Sequence, residues 1–192
     1  MSHLQEPVII IKQFYKTEQQ FNSFYSRLKL HICPCCNLAG FLILHGFLYG
    51  YSEQGTVIRI KRGHRIFCSN RDKKQGCGKT FSIMNSGFIK NCMISATSIW
   101  KFLNKIKNGR SLANAFRQSG SDMKESSIYR IFREFKRKQS RIRTFLTQIK
   151  DPPEITHTNN PAIQTICHLA SVFEDNACPI SQFQYDFQTS FF

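Results

Sequence analysis

Four cysteines in two clusters constrain this chain before anything else does. Cys33 and Cys36 lie in HICPCC, and Cys68 and Cys77 lie in CSNRDKKQGCGKTF. A Cys-x-x-Cys turn lets two sulfurs face one ion, and two such pairs close a tetrahedral shell with no open position for chemistry. The second pair has eight intervening residues instead of two. Its Cys77-Gly78 step still suits a metal turn, because glycine lets backbone N–H groups approach the sulfur. The polar, basic insert Asn70 to Gln75 is expected to loop out without disturbing the ligands. The expected cofactor is Zn2+ in a structural site held by Cys33, Cys36, Cys68 and Cys77. Free thiols in a small core, or an iron–sulfur cluster, are the competing readings. Cys35 is set aside in favour of Cys36, since a one-residue gap is too tight for the common turn. His31 and His64 are substitute ligands, weighed against their plain reading as polar surface histidines. Cys92, Cys167 and Cys178 are isolated and read as buried or surface thiols.

The start, MSHLQEPVIII, carries Glu6 where a secretion leader would be basic. The longest apolar stretch, Leu38 to Tyr51, holds His45 and glycines and falls short of the roughly 20 residues that span a bilayer. No membrane is expected as a partner. The expected location is the cytoplasm, where thiols stay reduced. The apolar fraction of 41% suits small modules, which bury little surface and gain most from a metal staple.

Spacing divides the chain further. Residues 1–30 hold a lead-in helix: Thr17 with Gln20 forms a capping box, and Phe21, Phe24, Tyr25 and Leu28 form one apolar stripe. Residues 31–85 lose helical spacing. Phe41 to Leu44 and Phe47 to Tyr51, broken by Gly46 and Gly50, read as strands. So do Thr56 to Ile60 and Arg65 to Phe67, after a turn at Ser52 to Gly55. A small antiparallel sheet with cysteine pairs at its ends is expected. Residues 92–150 return to helical spacing. Ile99, Phe102, Leu103 and Ile106 form one helix, Ser111 to Phe116 a second, and Ile128, Ile131, Phe132 and Phe135 a third that runs on or kinks near Gln139. Asp122 and Glu125 are spaced as a second capping box, and Pro152-Pro153 ends the helical region. Residues 151–192 read as an acidic flexible tail.

Charge is unevenly placed. The chain has 27 basic and 12 acidic side chains, a net +15. Residues 58–150 carry more than that whole excess, which the five acids of residues 151–192, a stretch with no base, partly offset. Concentrated positive charge attracts a polyanion by counterion release. In the third helix the face opposite the apolar stripe presents Ser126, Ser127, Tyr129, Arg130, Arg133 and Arg137, with Lys136 alongside. Arginine reads guanine bidentately, and hydroxyls and lysines hold phosphates. Three such helices suit a helix-turn-helix unit whose third helix enters the major groove. Arg71, Lys73 and Lys74, in the insert between Cys68 and Cys77, could reach a phosphate backbone.

The order CPxC, apolar sheet, basic strand, CGKTF and basic helix-turn-helix resembles the zinc-ribbon and helix-turn-helix DNA-binding region of bacterial insertion-sequence transposases. It is similar also to the small DNA-binding regulators that some of these elements encode. The resemblance covers about residues 31–140, and CGKTF, Cys77 to Phe81, is its most specific part. It implies Cys33, Cys36, Cys68 and Cys77 as ligands, and Ser127, Tyr129, Arg130 and Arg133 as the start of the reading helix. The long second knuckle and the long turn from Ser119 to Glu125 depart from the pattern. A carboxylate-triad core would need well over a hundred residues after the helices, and 42 follow Lys150. The expectation is an α+β chain, a small antiparallel zinc ribbon followed by a three-helix helix-turn-helix module and a disordered acidic tail. Its expected role is sequence-specific binding of double-stranded DNA for a transposable element, in transposition or transcription regulation, without catalysis. A separate transposase catalytic subunit and a second copy of the chain are candidate partners. A protein-interaction or RNA-binding zinc ribbon is the alternative.

Overall fold

The computed structural model describes residues 11–53, 58–72, 75–119, 126–155 and 158–192. The class is mixed α and β, and the chain forms two units: Met1–Tyr49 with Lys61–Asn85, and Gly50–Ile60 with Ser86–Phe192.

Among the described residues, the first unit is a four-stranded sheet with one α-helix and a short 3-10 turn, Leu28–Leu30. Strands β1 (Phe14–Tyr15), β2 (Leu42–Tyr51), β3 (Arg59–Cys68) and β4 (Thr80–Asn85) lie in the order β1-β4-β3-β2. β3 and β4 are antiparallel, with Arg65 opposite Ser82 and Phe67 opposite Thr80. The expected all-antiparallel ribbon is corrected at one edge, because β1 pairs parallel to β4, with Phe14 opposite Met84. The lead-in segment is thereby part of the sheet. β2 runs without a break through Gly46 and Gly50, and β4 is a strand that the reading of CGKTF as a metal turn passed over.

Helix α1 (Glu18–Ser26) starts as its sequence dictates. The Gln20 N–H donates to Thr17 Oγ1 at 3.3 Å, and the Gln20 side-chain oxygen accepts from the Lys16 N–H at 2.8 Å. Both satisfy donors that a helix start leaves unpaired. Phe21 and Leu28 are buried, Phe24 is half-buried and Tyr25 is exposed. Phe21 and Leu28 join Leu42, Ile66 and Ile83 in one small core that also holds Cys33 and Cys68.

The second unit is helical: α2 (Ala96–Lys107), α3 (Leu112–Arg117), α4 (Ser126–Leu146), α5 (Pro161–Val172) and α6 (Pro179–Asp186). Ser95 caps α2 by accepting from the Ser98 N–H, and Ser111 caps α3 by accepting from the Asn114 N–H. Gly109 closes α2 at φ 79°, a left-handed value that glycine reaches without strain. Glu53 strengthens the start of α2, since its carboxylate accepts from the Ser95 N–H and from the Ser95 and Ser98 hydroxyls at 2.9–3.0 Å. A carboxylate is favoured there by the helix dipole. The capping box expected at Asp122 and Glu125, the residues Thr56-Val57 and most of the Ser119–Glu125 turn lie outside the described residues.

The expected flexible tail is corrected. α5 and α6 are core helices. Ile166, Leu169, Ile180, Phe183 and Phe191 are fully buried in one cluster with Phe102, Phe116 and Phe135. The Phe135 and Phe191 rings stack at 6.1 Å, and Phe145 meets Phe183 edge-on at 5.8 Å. Asn160 caps α5 by accepting from the Ala162 N–H, and Pro161 sits in the first turn, where its missing N–H costs nothing. The tail's acids Asp151, Glu154, Glu174, Asp175 and Asp186 are all exposed. Low charge complexity suggested disorder, but the 3.6-residue spacing of Ala162, Ile166, Leu169 and Phe173 outweighs it: each buried large apolar side chain contributes about 1.5–3 kcal/mol.

Candidate metal centre and basic helix face

Two turns of the first unit present four sulfurs to one point. In the first, the Cys33 N–H donates to the Leu38 carbonyl at 3.0 Å and the Asn37 N–H to the Cys33 carbonyl at 2.9 Å. Asn37 takes the tight bend at φ 58°. The Cys35 N–H then donates to Cys33 Sγ at 3.4 Å. In the second, the Cys77 N–H donates to Cys68 Sγ at 3.4 Å and the Gly78 N–H to the Cys68 carbonyl at 2.9 Å. N–H groups aimed at sulfur stabilise thiolate charge.

Cys33 Sγ lies 3.7 Å from Cys77 Sγ, and Cys36 Sγ lies 3.7 Å from Cys68 Sγ. All four sulfurs lie within 4.8 Å of one another. Thiolates about 2.3 Å from a central ion span tetrahedron edges of about 3.8 Å. A disulfide would need a separation of about 2.05 Å, and all eight cysteines are free. The donor set and its spacing therefore fit a metal ion. Cys33 and Cys68 are fully buried, while Cys36 and Cys77 are half-buried. Burial pushes the Cys33 thiol up and Cys68 up to about 12, whereas the Leu38 N–H brings Cys36 down to about 7. A cation at the centre would reverse the upward shifts by binding the thiolates.

Cys35 is exposed and outside the sulfur set. His31 and His64 are outside it too, and their reading as surface histidines is corrected, since both are buried. The His64 ring stacks on Phe21 at 3.3 Å between centroids, and its Nε2 lies 3.4 Å from Glu18 Oε2. His31 lies against Phe24 at 4.6 Å. Ring stacking beside an apolar helix gave these histidines a core role that single-residue polarity hid.

The long second knuckle has a physical closure. Gly76 N–H donates to the Ser69 carbonyl at 3.1 Å, so the insert leaves and rejoins the chain at one point. Arg71 is exposed, and its guanidinium sits 5.3 Å from the Phe67 ring centre. Lys73 and Lys74 lie outside the described residues.

In the second unit, α4 has two faces. Ile128, Ile131, Phe135, Ile142 and Leu146 are buried. Tyr129, Arg130, Arg133, Lys136 and Arg137 are exposed, and Ser127 is half-buried. Ser126 opens the helix, and its side chain lies outside the described residues. Arg137 donates through Nε and Nη2 to Glu134 Oε2 at 3.0 and 2.7 Å, which holds the Glu134 carboxyl below its ordinary range. Lys136 Nζ stands 5.5 Å above the Phe132 ring. A cleft of about 450 Å³ adjoins this face, lined by Lys90 and Asn91 as well as by Arg130 and Arg133. Sequence reasoning missed Lys90 and Asn91 because some forty residues separate them from α4. Among the described residues no helix is long and apolar enough to cross a membrane. No family model matches this sequence, and neither a curated protein nor a solved structure matches it.

Proposed function

We propose that the chain is a zinc-binding protein that recognises double-stranded DNA by sequence, in the service of a transposable element, without a catalytic core of its own. The observation that carries the reading is the division of α4: one face is buried in a helical core, and the other offers Tyr129, Arg130, Arg133, Lys136 and Arg137 to solvent. A helix braced this way can enter a major groove without losing its fold. Two shorter helices, α2 and α3, precede it, in the order a helix-turn-helix requires. The four-cysteine set supports Zn2+, the usual occupant of a closed structural tetrahedron of thiolates. A separate catalytic subunit would supply strand cleavage.

Titration of the zinc-loaded protein into labelled duplexes at several salt concentrations tests this. Affinity should fall steeply with salt, with a log–log slope of about −0.9 for each phosphate contacted. Arg130→Ala and Arg133→Ala should weaken the preferred duplex more than a random one. Equal, weak binding to every duplex, indifferent to both substitutions, would sink the reading in favour of a protein-docking or RNA-binding role.

A further inference from the structure

We propose that the cleft beside α4 is a binding site for a nucleoside phosphate, either free or as the end of a nucleic-acid strand. Its walls come from three stretches of the second unit. α4 contributes Arg130, Arg133 and Lys138, the segment before α2 contributes Lys90 and Asn91, and the C-terminal segment contributes Phe192.

The cleft is built by a buried side chain. Gln184 has no solvent exposure. Its amide nitrogen donates to the Ser86 carbonyl at 2.8 Å and the Phe88 carbonyl at 3.0 Å, and its oxygen accepts from the Phe191 N–H at 3.1 Å. One side chain thereby fixes the segment leading to Lys90 and the segment carrying Phe192. Phe191 is anchored between Phe135 and Phe183, which holds the next residue at the rim. Positions set by buried hydrogen bonds lower the ordering cost of binding.

The lining names the ligand's chemistry. Five cations line the cleft, against the Glu134 carboxylate that Arg137 already pairs. Among the described residues neither the Lys90 nor the Arg130 side chain has an ion-pair partner. Lysine and arginine donate and never accept, so the complement is a group with several anionic oxygens, and arginine's planar fork suits phosphate. Ile131 and Phe192 add apolar residues to the lining, and the Phe192 ring lies 5.1 Å from that of Phe191. The volume is more than a lone phosphate fills and lies within the usual range of organic-ligand sites. A flat ring that stacks on an aromatic side chain, joined to a phosphate, suits both kinds of lining residue.

The inference shares Arg130 and Arg133 with the duplex reading but does not depend on it. Calorimetric titration of the zinc-loaded full chain with ADP, with a 5′-phosphorylated single-stranded oligonucleotide and with inorganic phosphate tests it. Saturable binding of ADP alone identifies a free nucleotide as the source, and binding of the oligonucleotide identifies a strand end; either supports the proposal. Phe192→Ala should weaken that binding about fivefold or more, Phe192→Trp should restore it, and Lys90→Glu should weaken it without touching the core. No saturable binding of ADP or oligonucleotide, equal affinity for inorganic phosphate, or indifference to both Phe192→Ala and Lys90→Glu would overturn the proposal. Duplex titration of the wild type in parallel keeps the two readings separate: nucleotide binding without duplex binding removes only the first, and the reverse removes only this one.

Discussion

Gly76 and Ser69 meet backbone to backbone: the Gly76 N–H donates to the Ser69 carbonyl at 3.1 Å, and a Cβ built on Gly76 would stand 2.2 Å from that oxygen. Neither partner is a flexible side chain, so a methyl group there forces the two segments apart. The contact brings the chain back beside Ser69 one residue before Cys77. Gly76→Ala should weaken zinc retention about tenfold or more, as loss of support around a metal shell usually does. Competition with a chromogenic chelator measures it, and unchanged retention would contradict the role given to this contact.

The Gly76 contact also shows what the sequence could reveal and what it could not. The cluster of Cys33, Cys36, Cys68 and Cys77 was legible because the two-residue spacing of the first pair and the Cys77-Gly78 step are local chemistry. The closure of an eight-residue gap depends on a turn whose ends meet in space, and no local pattern encodes that. The caps at Thr17, Ser95 and Ser111 and the stripe Ile99, Phe102, Leu103 and Ile106 were legible for the same local reason. The pairing of Phe14 with Met84 was not, because a two-residue strand carries no periodicity. Residues 161–186 read as tail because the acids Asp151, Glu154, Glu174 and Asp175 flank the two helices and dominate the segment's charge, while the apolar spacing within each helix is short. His64 was misread because its environment is supplied by Phe21 and Tyr15, over forty residues away.

Metal removal should act on the first unit. Its core is small, and Cys33 and Cys68 are part of it; free energy of metal binding in such a site is folding free energy. Chelation, or Cys68→Ser, should abolish slow hydrogen exchange in β3 and β4 while the amides of α2, α4 and α5 stay protected. Equal protection of β3 and β4 with and without metal would show that the thiols are not ligands.

The buried His64 gives the first unit an acid limit. Burial pulls its imidazole below the ordinary value, the Lys61 charge adds to that, and Glu18 only partly opposes it. The unfolded chain therefore binds this proton more readily than the folded one. Stability from this source is complete above about pH 6.5 and declines as pH drops below it. The Tm of the zinc-loaded wild type should fall more between pH 7.5 and 5.5 than that of His64→Phe, which keeps a ring on Phe21 and cannot titrate. Parallel pH profiles for the two proteins would refute this.

The C-terminal helices should be required for the second unit. Phe183 is 1% exposed and touches the rings of Phe145, Phe187 and Phe191. Phe183→Ala should cost about 3–5 kcal/mol, the usual range for emptying an aromatic site in a core. Urea unfolding followed by helical circular dichroism reads this. A loss under about 1 kcal/mol would return residues 179–186 to the status of a tail.

The central claim is that the exposed face of α4 reads duplex DNA, and selection from a random duplex library by the zinc-loaded protein tests it most directly. The account predicts enrichment of one sequence motif by the wild type, with a guanine position whose preference relaxes in Arg130→Ala or Arg133→Ala at a cost of about 1–3 kcal/mol. A library that emerges from selection without an enriched motif, or a motif that both variants select unchanged, would contradict it.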